Sequence, residues 1–221
     1  MKKHNTQMSE SFLLAGFLSI SGGLQDAYTY ISRGQVFANA QTGNIVLMSQ
    51  YICEGNFRFA GHYLVPLIFF SLGVAAAELL RQKYQNTEKI HWRQLVLIPE
   101  IILLFLVGFL PEEWNLFANA MVSFSCAMQV QAFRKVNGYA YASTMCIGNM
   151  RSGMESLCTF LRTHEKSALY KTLHYIGIIV LFALGAGLGG LLISAFGLRA
   201  IWFSCVLLLI SFSLMFLPTG E

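Results

Sequence analysis

Charge is what this sequence most lacks. Of its 221 residues only 12% are Asp, Glu, Lys or Arg, against about 25% in an ordinary soluble domain. Proline is scarce too, at four residues, and Pro66 and Pro99 fall inside apolar runs. The five cysteines (Cys53, Cys126, Cys146, Cys158 and Cys205) contain no Cys-x-x-Cys pair. That removes the common zinc and disulfide-exchange spacings, and the cysteines read as buried small hydrophobes. Ser, His and Asp are scattered without a nucleophile motif, so no catalytic group, metal or cofactor is expected and the chain is not read as an enzyme. The net charge of +4 comes from basic residues beside apolar segments rather than in a patch, which argues against a nucleic-acid partner.

Apolar residues, at 55%, are what the chain has in excess. A membrane-crossing helix needs roughly 20 mostly apolar residues, and six windows approach that: Phe12–Ser32, Phe59–Leu80, Leu95–Pro111, Leu116–Phe133, Thr172–Phe196 and Ala200–Leu217. So many runs overfill a soluble core. The expected fold is all-α and polytopic, with the lipid bilayer as partner and the cell (inner, cytoplasmic) membrane as location. Lys2 and Lys3 before the first run imitate a signal peptide. However, Ser19, Ser21, Gln25 and Asp26 interrupt that run and no small-residue cleavage pattern follows, so it reads as a retained helix.

The chain resembles itself. DAYTY (26–30) lies over QAFRK (131–135), and TGNIV (42–46) over IGNMR (147–151), both 105 residues apart. HYLVPLIFFSLG (62–73) matches HYIGIIVLFALG (174–185), and FLP closes both halves at 109–111 and 216–218. The repeat units are 1–111 and 112–221, together one membrane domain. If the polar GN segment of each unit does not cross the membrane, one side collects Lys2, Lys3, Arg81, Lys83, Lys89, Arg93, Arg134, Lys135, Arg162, Lys166 and Lys171. Only Arg33, Arg58 and Arg199 fall opposite, beside Glu112 and Glu113. The positive-inside rule then gives six full crossings, multi-pass, with both termini cytoplasmic. Three crossings per unit make the repeat inverted in topology, 3+3.

The polar segments, FANAQTGNIV (37–46) and TMCIGNMRSG (144–153), interrupt apolar sequence with unusual hydrogen-bonding capacity. Irregular backbone survives at membrane depth only where protein covers it or where it lines a wet cavity. Both segments are therefore expected to be re-entrant or discontinuous, with Gly43 and Gly148 permitting a break. Asn44 and Asn149 are expected to meet near mid-membrane and line one cavity with Asn39, Gln41 and Thr42. Asp26, an acid deep in the first window, is expected to contact Thr42–Asn44, and its counterpart Gln131 to contact Ile147–Asn149. Gln129 is two residues from Gln131, so at most one of the pair faces the site. Arg151 either holds an anionic substrate or snorkels to the surface. Glu100, beside Pro99, is an acid with no counterpart in the second unit. His62 and His174 read as interfacial, with Tyr63 and Tyr175 in an aromatic belt. GAGLGGLL (185–192) permits close helix approach, within the monomer or across a homodimer.

These residues also carry a likeness. GG-x-x-DA (22–27), FANAQTGN (37–44), QVQAF (129–133) and GN-x-R (148–151) resemble the YoaK-like family of bacterial multi-pass membrane proteins, over nearly the whole chain. Ile147 departs from the family's second motif, which more often has threonine there. The resemblance implies the multi-pass architecture and a small-metabolite transport role. The leading functional reading is a secondary transporter for a small solute, metabolite or ion. A channel and a non-transporting membrane scaffold or assembly factor are the alternatives.

Overall fold

The computed structural model describes residues 10–85, 92–136 and 138–216. Lys2, Lys3, Lys89 and positions 217–218 of the second FLP lie outside them. Among the described residues the chain is all-helical apart from one two-residue ladder. The helices are α1 (Phe12–Ser32), α2 (Gln41–Cys53), α3 (Phe57–Tyr84), α4 (Trp92–Val107), α5 (Asn115–Ala132), α6 (Cys146–Thr163), α7 (Lys166–Phe196) and α8 (Ile201–Leu214). Strands β1 (Lys135–Val136) and β2 (Tyr139–Ala140) pair antiparallel, Lys135 opposite Ala140.

Local chemistry sets several boundaries. The Ser11 hydroxyl accepts the Leu14 N–H and starts α1, and the Asn56 side chain does the same for α3 from Phe59. Gly197, at φ 56°, ends α7, and a 3-10 turn (Gly197–Ala200) leads into α8. Among the described residues two helical runs, Phe57–Tyr84 and Lys166–Leu214, are long and apolar enough to cross a membrane, the second being α7 and α8 joined by that turn.

Helix packing is reciprocal between the halves. Along α1 and α7, Gly16 faces Leu181, Gly185 faces Ile20, and Gly189 faces Leu24 and Ala27. Both numbers rise together, so the helices run parallel. The same holds for α3 and α5, where Gly73 lies on Phe124 and Ala127 and the Gln131 amide donates to Glu78 at 2.7 Å. A methyl on Gly185 would sit 2.1 Å from the Ile20 carbonyl oxygen, and one on Gly73 would sit 2.4 Å from that of Phe124. Only glycine allows either approach. The stripe read in GAGLGGLL is therefore used within the chain. By contrast α1 and α5 run antiparallel: Asn119 bonds Arg33, Cys126 bonds Gln25, and Gln129 bonds Leu18. So do α4 and α8, through Trp202 on Phe105 and Cys205 on Ile101.

Burial shifts the register read in the sequence. SISGGLQ (19–25) of α1 matches SFSCAMQ (123–129) of α5 at an offset of 104, with Ser19, Ser21 and Gln25 buried like Ser123, Ser125 and Gln129. In α4, buried Leu97, Glu100, Leu104 and Val107 stand over buried Ile201, Ser204, Leu208 and Ser211 of α8, again at 104. The FLP match is out of this register, and Asp26 stands over Val130 rather than Gln131. Apolar letters recur by chance, whereas buried polar ones are costly, so these matches weigh more than the aromatic ones. The polar segments do keep the offset of 105, since α2 begins at Gln41 and α6 at Cys146.

Several side chains are not where the sequence reading put them. Arg33 is fully buried, donating to the Tyr28 hydroxyl and to the Val107, Leu110 and Pro111 carbonyls. It neutralises the negative end of α4 rather than standing as a free surface charge. Tyr63 and Tyr175 are buried, and the Tyr175 hydroxyl donates to the Ala140 carbonyl at 2.7 Å. Cys126 and Cys205 are buried, but Cys53 and Cys158 are exposed, because α2 and α6 turn those faces outward.

Candidate functional site

The site is built on two matching clamps. After α1 the chain turns through Gly34 and Gln35, both at positive φ, and runs back toward the middle of α1. The Asn44 side chain accepts the Phe37 N–H at 3.1 Å and donates to the Phe37 carbonyl at 2.7 Å and to Gln41 at 2.8 Å. In the second half Asn149 accepts the Ala142 N–H at 3.3 Å and donates to the Ala142 carbonyl at 2.7 Å. Each carboxamide satisfies both backbone groups of the residue seven positions before it. The extended chain is thereby held against the start of the following helix.

The clamps aim the N-termini of α2 and α6 at one cavity of about 570 Å³. Neither terminus has a side-chain cap; the Gln41 and Gly43 amides of α2 donate back to the Asn39 and Ala40 carbonyls, while the first-turn N–H groups of α6 remain available. The wall is formed by Asn39–Thr42 from one half, Thr144–Gly148 from the other, Leu67, Phe70 and Ser71 of α3, Phe182 of α7, and Asp26 of α1. Its volume lies within the roughly 300–1,000 Å³ typical of small-molecule pockets. Asp26 accepts the Asn39 amide at 2.7 Å, and the Ala38 and Ala40 amides turn to the same carboxylate. Two oxygens of wall residues, Asn39 Oδ1 and Thr144 Oγ1, have no partner and are sealed off from the cavity behind the wall. Their residues are equivalent at the offset of 105.

A polar core lies behind the cavity. Gln25 donates to Ser21 and Ser204 at 3.0 and 2.9 Å and accepts the Cys126 thiol at 2.7 Å. Glu100 of α4 is completely buried beside the Gln25 carboxamide, and neither of its oxygens closes a hydrogen bond of ordinary geometry. Buried polar atoms in native structures are rarely left so.

The structure brings Asp26, Asn39, Gln41, Thr42 and Gly148 together at the cavity. It does not bring the others. Asn44 and Asn149 are spent in their clamps, and Gly43 packs on the Phe37 ring. Gln129 donates to Leu18 and Ser143 at 3.2 and 2.9 Å, behind the wall. Gln131 serves Glu78, not Ile147–Asn149, because the 104 register turns it toward α3. Arg151 lies on the outer face of α6, its side chain 82% exposed and paired with Glu155. Asp26 meets Asn39, one turn earlier than the expected Thr42–Asn44. Thr144, Phe70 and Phe182 were missed. The repeated S-x-S-x-x-[Leu/Met]-Q pattern was the signal that could have set the register and found their neighbourhood.

The model of the family described as "Protein of unknown function (DUF1275)" matches residues 14–214. A relative named UPF0700 transmembrane protein YoaK, from Bacillus subtilis (strain 168), is 28% identical over 204 residues, covering 88% of this chain and 89% of the relative. No solved structure matches.

Proposed function

The chain belongs to the DUF1275 family, and from that premise we propose that it is a multi-pass protein of the cell membrane that carries a small solute by alternating access. The observation that carries this reading is the cavity into which α2 and α6 both point their N-termini. In this reading α1, α3, α4, α5, α7 and α8 cross the bilayer, and both termini are cytoplasmic. At 13 residues α2 is about 20 Å long, short of the ~30 Å hydrocarbon layer. It and the polar α6, which carries Arg151, Glu155 and Arg162, are re-entrant half-helices. The antiparallel pairing of α1 with its equivalent α5 supports an inverted repeat with a pseudo-two-fold axis in the membrane plane. Helix ends at mid-membrane give a transporter its solute site without charged side chains. The cavity disfavours a scaffold, whose centre has no use for open space.

The test has two parts. On a cysteine-free background, single cysteines at 85–88 should resist an impermeant thiol reagent outside intact cells, and cysteines at 112–113 should react. The purified protein, reconstituted in liposomes, should take up at least one solute from a metabolite extract, and Gly148→Trp, which fills the cavity, should stop it. Outside labelling at 85–88, or uptake unchanged by Gly148→Trp, overturns the reading.

A further inference from the structure

The acid that the cavity does not use is Glu100. It lies in α4, fully buried, and neither of its carboxyl oxygens has a hydrogen-bond partner. The groups around it are polar but already engaged. From α1, the Gln25 amide donates to Ser21 and Ser204. From α5, the Cys126 thiol donates to the Gln25 carbonyl oxygen at 2.7 Å, and from α8 the Cys205 thiol turns to the Ile101 carbonyl. Among the described residues no cation acts on Glu100. Arg93, seven residues earlier on α4, is held by Glu10 and the Ala132 carbonyl, and Arg33 closes the far end of the helix at Val107. On α3, Glu78 is bound by Arg81 and Gln131.

An ionised carboxylate in that place would have neither water nor a donor, and a charge is not left bare in a protein interior. The neutral acid, which carries its own proton, is the form this packing accommodates. A polar group kept only to join helices would be bonded across them. Ser204, which stands over Glu100 at the offset of 104, is such a group, bonding Ser21 at 2.5 Å and the Gln25 amide at 2.9 Å. Glu100 bonds nothing, so its carboxyl makes no such joint. Beside it Pro99 removes the helical hydrogen bond to the Leu95 carbonyl and loosens α4 at this point. The Cys126 thiol lies in the field of both Asp26 and Glu100. A single thiol is thus within reach of the buried acid and of the acid on the cavity wall.

We propose that Glu100 is a proton-binding site, loaded while α4 is packed on α1, α5 and α8 and emptied when these helices part. Within the transport reading, on which its biological role rests, Glu100 couples the solute cycle to the proton gradient. The packed core holds one proton more than the opened one, so raising the pH favours opening. Asp26 differs, because the amides of Asn39, Ala38 and Ala40 already hold its carboxylate. Its charge needs no helix movement.

The first readout is infrared spectroscopy of the purified full chain in liposomes. At neutral pH the wild type should show the carbonyl stretch of a carboxylic acid without a hydrogen-bond partner, absent from Glu100→Gln and retained in Asp26→Asn. The second keeps Cys126 as the sole cysteine and follows its labelling by a membrane-permeant thiol reagent. Each opening releases one proton, so labelling should rise about tenfold more per pH unit in the wild type than in Glu100→Gln. Ionisation of the thiol and of Asp26 is common to both chains and cancels. If Glu100→Gln fails to fold, Glu100→Asp, which keeps a carboxyl but moves its band, assigns the signal. A wild type with no Glu100 acid band at neutral pH, or an equal pH response in the two chains, overturns the proposal. Neither readout needs a solute. Absence of uptake sinks the transport reading and leaves the proton site, whereas uptake blocked by Gly148→Trp in a protein without the Glu100 band does the reverse.

Discussion

The segment entering α2 and the segment entering α6 share a skeleton and differ in lining. Both are clamped by an asparagine to the backbone seven residues earlier, and both start an uncapped helix on the cavity. One then presents Asn39, Gln41 and Thr42 under Asp26, and the other Thr144, Cys146 and Ile147 with no acid. What the halves share holds the fold. What they do not share makes the two sides of the cavity wall chemically unlike.

The comparison breaks first at its shared parts. Gly185→Leu and Gly73→Leu force side chains into the Ile20 and Phe124 backbones. Each should lower stability by about 3 kcal/mol, and melting followed by size-exclusion in detergent should show aggregation in both. Asn44→Ala and Asn149→Ala leave buried backbone groups unpaired, at a cost of about 2 kcal/mol each. The two melting shifts should be similar, with Asn44 slightly the larger because it also holds Gln41. A large effect in one half alone would mean the clamps are not equivalent.

The unshared parts should cost less stability. Asp26→Ala removes the acceptor for the turn before α2 and should cost about 1–2 kcal/mol, while Asp26→Asn keeps an acceptor and should stay within about 0.5 kcal/mol. Val130→Ala, at the equivalent place, should show no such polar loss. The smallest contrast is at the glycines of the two GN pairs. Gly148→Ala meets open space and should gain about 0.5–1 kcal/mol from reduced backbone entropy. Gly43→Ala meets the Phe37 ring at 3.0 Å and should gain nothing.

Much of this was legible beforehand, and the misses have a common cause. The six apolar windows became helices, and the starts of the two helices that carry the GN pairs converged on one cavity. Residue type alone could not say whether Asn44 faces a solute or its own backbone, since a carboxamide suits both. The register slipped by one because DAYTY over QAFRK rewards similar aromatics, while the buried serines and glutamines that fix the alignment looked like ordinary polar interruptions. Glu100 was visible as an acid in an apolar run. That it lies unpaired next to Gln25 depends on how α4 crosses α1 and α5.

The parallel pairing of α1 with α7 also has a consequence in time. Gly185 reaches the ribosomal exit about 150 residues after the end of α1, and chains grow at roughly 5–20 residues per second. For about 8–30 s, then, a newborn α1 presents its stripe of Gly16, Ile20, Gly23 and Ala27 with its eventual partner not yet made. Something must shelter that helix in the interval, whether the insertion machinery or α5 arriving first. A ribosome stalled near residue 100 should leave a nascent chain that quality-control proteases find at once.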